Sequence, residues 1–155
     1  MPHAQLEKLA RQMRAAIEAL PREALPLTMA SFPAGACGDT SLLLGAYFKD
    51  MGVLGFEYIC GTRGNQQDNT WTSHAWLSNG ALIVDITADQ FEDAPSKIIV
   101  VEHSLWHATF TTEPGQSSDF RDWSGPGVDP LHSMYRVLRP SLFVAEPSIV
   151  LIRQE

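Results

Sequence analysis

The chain has 155 residues, of which 45% are hydrophobic and 19% charged, with a formal net charge of −7. That balance fits one folded domain with a sizeable core and excludes global disorder. The acidic charge, with basic residues scattered singly as at Lys8, Arg11 and Arg14, argues against nucleic-acid or membrane partners, which recruit clustered cations.

Residues 4–20 space Leu6, Leu9, Met13, Ile17 and Leu20 at intervals of three or four, which predicts an amphipathic helix closed by Pro21. The start lacks the continuous apolar core of a signal peptide. No apolar run nears the roughly 20 residues that span a bilayer, so a cytoplasmic location is expected. A Pro-, Ala- and Gly-rich connector, PREALPLTMASFPAGACG, leads to SLLLGAYFKDMG. There Leu42, Leu43, Ala46 and Tyr47 predict a second helix that stops at Gly52. Strands are expected over 54–60, 71–78, 81–87 and 97–103, with a last one in PSIVLIRQ at 147–154. GTRGNQQDN reads as a polar loop, and MYRVLRP fits either helix or strand. Residues 111–130 are rich in Gly, Pro, Ser and Asp and read as a long irregular segment of the kind that is usually functional or disordered. Helices followed mostly by strands predict an α+β class: one domain over 1–155, with N-terminal helices packed on an antiparallel sheet.

Asn79-Gly80 is a strong hairpin signal, because a two-residue type I′ loop needs positive φ at both positions. The register it predicts sets Trp76 opposite Ile83, Ala75 opposite Val84 and His74 directly opposite Asp85. Opposed residues share a face with Cβ atoms roughly 5 Å apart. Asp85 can then orient the His74 ring and favour its protonated form.

There are two cysteines, Cys37 and Cys60, in no CxxC pair, so neither a disulfide framework nor a zinc ribbon is expected. Cys37 stands where a Gly/Ala loop meets the second helix. The positive end of the helix dipole, with an imidazolium close by, would lower its pKa and make it a nucleophile. Gly35 and Gly38 leave room for substrate backbone, and the Cys37 backbone N–H can supply one oxyanion donor. Asp39 is expected to cap the helix. Cys60, at a strand end, reads as a small buried apolar residue.

Gly35-Ala36-Cys37, His74-Ala75-Trp76 and Asp85-Ile86-Thr87, in that order, resemble the transglutaminase-like branch of the papain-like thiol superfamily. The resemblance covers about residues 31–91. It implies a papain-like (transglutaminase-like) fold with its core over 31–105 and a triad: Cys37 attacks a carbonyl, His74 shuttles the proton and Asp85 orients His74. It further implies a thioester intermediate and an amide hydrolase or acyl-transfer activity (peptidase, deamidase or transglutaminase-like) on a protein, peptide or small amide, without a cofactor.

Gly35, Trp76 and Gln90 are the substrate-side candidates, Gln90 as a second oxyanion donor. The family's own donors are missing. Ser31 holds the place of the papain-type glutamine, and Trp71, Trp76, Trp106 and Trp123 all lie after Cys37. Two alternatives stay open: a non-catalytic binding module on the same frame, and an acyltransferase with a thioester donor, for whose carrier phosphates no basic patch is present. His103 and His107, four apart in HSLWH, would suit a metal on a helix. KIIVVE before them reads as a strand, so no metal site is assigned. Trp106 and Trp123 either cover a substrate groove with the 111–130 segment, or Trp106 packs in the core and Trp123 pins the loop.

Overall fold

A computed structural model of the protein describes residues 1–144. The strand expected over 147–154 lies outside the described residues. Helix α1, His3–Glu18, buries Leu6, Leu9, Met13 and Ile17 along the expected stripe. Helix α2, Cys37–Asp50, begins four residues before SLLLGAYFKDMG. Every residue from Thr40 to Phe48 in α2 is buried, the mark of a helix wrapped by the rest of the core rather than laid on a surface. Gly52, at φ +79, ends it as expected.

The strands are β1, Glu57–Arg63; β2, Thr72–Ser78; β3, Ile83–Asp85; β4, Ile99–Val101; β5, Thr111–Thr112; and β6, Gln116–Ser117. They form one sheet in the order β4-β3-β2-β1-β5, with β6 also on β1. All pairings among them are antiparallel. The class is α+β, with α2 packed against β2 and β1.

Two expectations are corrected. The segment 111–130 is not irregular throughout. β5 and β6 pair with β1 along the edge that β2 leaves free, and helix α3, Asp129–Leu142, starts inside it with proline in its first turn. Leu131, Met134, Tyr135, Leu138 and Leu142 face the core from α3, which settles MYRVLRP as helix.

The hairpin register also differs. Asn79 Oδ1 accepts the N–H groups of Ala81 and Leu82 at 2.9 and 2.6 Å. This side-chain turn widens the loop to residues 79–82, so Ser78 pairs with Ile83 and Leu77 with Val84. The slip is two residues. Because a strand repeats every two, each side chain keeps its face. Asp85 becomes a diagonal neighbour of His74 instead of its direct partner. No described helix is long and apolar enough to cross a membrane.

Candidate active site

Cys37 is the first residue of α2. The turn before it passes through Gly35 at φ +69, a left-handed backbone that glycine adopts without strain. Ala36 holds the cap position, and no side chain caps this end of the helix. The first-turn N–H groups therefore have no intrahelical partner, and the positive end of the helix dipole lies beside the sulfur. Asp39 does not cap the helix as expected. It is the third helical residue, and its carboxylate accepts a hydrogen bond from the Thr28 hydroxyl at 2.5 Å.

His74 and Asp85 are 1% and 2% exposed, so their interaction is shielded from water. His74 Nε2 donates to Asp85 Oδ2 at 2.6 Å. Asp85 Oδ1 accepts the Thr87 N–H at 2.9 Å. The other ring nitrogen, Nδ1, lies 3.1 Å from Gln90 Nε2, which also donates to the Thr87 carbonyl at 3.1 Å. Gln90, a substrate-side candidate in the sequence, thus stands at the Nδ1 edge of the imidazole, away from Asp85.

The electrostatics follow from these partners. Burial opposes the charge on Asp85, but the hydrogen bonds from His107 and His74 outweigh it and hold the carboxyl down at about 2. Burial likewise opposes the imidazolium, yet Asp85 and then Cys37 push His74 up to about 9. Burial would raise the Cys37 thiol, but His74, the Ala75 backbone N–H and Gln90 bring it below its ordinary value. The Cys60 thiol is pushed the other way, by burial, Glu113 and Cys37. Cys60 lies within β1 and is half-exposed, not a buried apolar residue at a strand end.

His107, weighed in the sequence only with His103 as a possible metal pair, joins this cluster. It is 3% exposed, and its Nε2 donates to the same Asp85 oxygen at 2.9 Å. The Ser104 hydroxyl meets its Nδ1 at 2.6 Å and also accepts the His107 backbone N–H at 3.1 Å. The available signal was the Ser-x-x-His spacing, in which a serine side chain closes a helical turn; the turn is His107–Thr109.

Rings wall the histidine. Trp76, Phe91, Trp106 and Phe110 surround His74 with centroids 5.0–5.8 Å away. Trp76 is 3% exposed and packs edge-on against His107 at 4.8 Å. It forms a wall of the site on the same strand face as His74. The Arg63 guanidinium closes the cluster, 4.5–5.4 Å from the Phe110, Phe91 and Trp106 centroids, and is itself forked onto Asp93 at 2.8 and 2.9 Å.

Arg14, on α1, steadies the segment between Asp85 and Gln90. It donates to the Ile86 carbonyl at 2.7 Å and to both Asp89 oxygens at 2.8 Å.

His74, Asp85 and His107 are also the residues that could share a metal, with ligand atoms within 4.8 Å of one another. The 2.6 Å separation of His74 Nε2 and Asp85 Oδ2 is a hydrogen-bond length. Two ligands of one tetrahedral ion with bonds of about 2.0–2.1 Å stand farther apart. The cluster is built to share protons.

Comparison of the chain with protein-family models, curated proteins and solved structures finds no match.

Proposed function

We propose that the chain is a thiol-dependent amide hydrolase or acyl-transfer enzyme on a papain-like (transglutaminase-like) frame. One observation carries the reading. Cys37 stands at a helix start, His74 draws its thiol below the ordinary value, and the far nitrogen of that imidazole is locked onto a buried carboxylate. The frame is supported by a nucleophile helix packed on an antiparallel sheet whose second strand carries the base.

The chemistry follows from the arrangement. With His74 protonated and Cys37 ionised, the thiolate attacks the substrate carbonyl carbon, and the π electrons move to oxygen. The tetrahedral adduct collapses as His74 gives its proton to the departing amine. Water or an amine, deprotonated by His74, then attacks the thioester and releases Cys37. Asp85 stays ionised throughout and stabilises the imidazolium. The substrate class is a protein, a peptide or a small amide, with glutamine side chains included. A thiolate nucleophile suits a reducing compartment such as the cytoplasm.

The test is ammonia or amine release from a panel of glutamine-containing peptides, with site mapping of graded thiol probes near neutral pH. Turnover that disappears in Cys37→Ala, with probes favouring Cys37 over Cys60, is expected. Full turnover in Cys37→Ala would sink the mechanism. Equal, ordinary reactivity of both thiols would favour a non-catalytic module.

A further inference from the structure

A thioester mechanism needs two donors on the developing oxyanion. One is a first-turn N–H of α2. Neither upstream side chain that the resembled enzymes use is present, and Gln90 Nε2 donates to the Thr87 carbonyl.

We propose that the Tyr58 hydroxyl supplies the second oxyanion donor. This rests on the thiol reading above and deepens it.

Tyr58 and Cys60 alternate along β1 opposite the buried Leu77 and Ala75, and α2 packs on this part of the sheet, with Ser41 donating to the Ala75 carbonyl at 3.3 Å. The tyrosine oxygen reaches the start of the helix. A Cβ on Gly38, the residue after the nucleophile, would lie 3.2 Å from Tyr58 Oη. That is tighter than ordinary contact, so glycine lets the hydroxyl approach the helix start without displacement.

The ring is held in place before any substrate arrives. β6 pairs Gln116 with Tyr58. Trp123 packs edge-on against the ring at 5.4 Å and anchors its own indole by donating to the Ser117 carbonyl at 2.8 Å. Among the described residues, no group accepts the Tyr58 proton in a hydrogen bond. Burial, with Cys60, Cys37 and Asp39 nearby, keeps the phenol protonated well above its ordinary range. It remains a donor at any pH where the thiolate forms. The hydroxyl keeps its proton through the step: sulfur bonds to the carbonyl carbon, the C=O π pair becomes the oxyanion, and Tyr58 and the backbone N–H donate to it until collapse expels the leaving group.

Two reactions of Cys37 separate this role from a structural one. Alkylation by iodoacetamide displaces iodide and builds no oxyanion. Acylation by p-nitrophenyl acetate passes through one. In Tyr58→Phe, acylation of Cys37, followed by nitrophenol release and intact mass, should slow on the order of 100-fold, while alkylation and its pH profile hold. Trp123→Ala, which frees the ring, should give a smaller loss of the same kind. Equal effects on both reactions, or none on acylation, would overturn the assignment and leave the thiol mechanism standing. Failure of the wild-type protein to acylate at Cys37 would overturn both.

Discussion

His107 shares the carboxylate of Asp85: its Nε2 stands 2.9 Å from the oxygen that also receives the proton of His74. A third hydrogen bond, from the Thr87 N–H, reaches the other oxygen. A carboxylate so fully supplied with donors stays ionised despite burial. In the proposed mechanism the second histidine acts on Cys37 at a distance, by fixing Asp85, which fixes His74. His107→Leu should move the thiolate midpoint of Cys37 upward and cost about 1–3 kcal/mol in stability, the scale of a buried polar group left without its partner. His107→Gln, which can still donate, should restore much of both. Iodoacetamide rate profiles against pH, with urea denaturation, provide the check.

Asp85→Asn removes the charge that holds the imidazolium. The ring titration of His74 by NMR should drop from about 9 toward its ordinary range, because Cys37 alone then opposes burial. Alkylation of Cys37 at neutral pH should fall at least roughly tenfold, the effect of one unit in thiol pKa.

The same residue sets part of the acid stability. Its folded pKa of about 2 lies below the ordinary value of about 3.9. A depressed carboxyl contributes stability that is present above the unfolded value and is lost as pH falls through the folded one. That contribution is about 2–3 kcal/mol. Denaturation measured at pH 5 and again near pH 2 should therefore show a smaller difference in Asp85→Asn than in the wild-type protein.

Arg14 binds α1 to the strand-to-turn segment that carries both Asp85 and Gln90. Arg14→Ala should destabilise the fold by about 2 kcal/mol, less than a fully buried pair because Asp89 keeps some solvent. Arg14→Lys should not rescue it, since an ammonium cannot fork onto both Asp89 oxygens while meeting the Ile86 carbonyl. Thermal unfolding of the three proteins decides the point.

The positions of the three proposed triad residues were readable in the sequence because local rules place each one. A helix start marks Cys37. The two-residue period of a strand puts His74 and Asp85 on one face, and that period survived the error in register, since the loop grew by two and not by one. Residues whose partners lie far along the chain were opaque. Arg14 reads as one more scattered cation until Ile86 and Asp89 come to it. His107 pairs by spacing with His103, and only folding turns it toward Asp85. Tyr58 reads as an ordinary aromatic strand residue. The 111–130 segment looked irregular because its strands are two residues each, too short to show alternation, and exist by pairing with β1.

The ultraviolet absorbance of the thiolate, followed from acid to alkaline pH in a Cys60→Ser background, tests the central claim most directly. A Cys37 thiolate stabilised by His74 should give a step below the ordinary thiol range, absent in Cys37→Ala and shifted upward in His74→Ala. A single step at the value of a free cysteine, unmoved by His74→Ala, would contradict it.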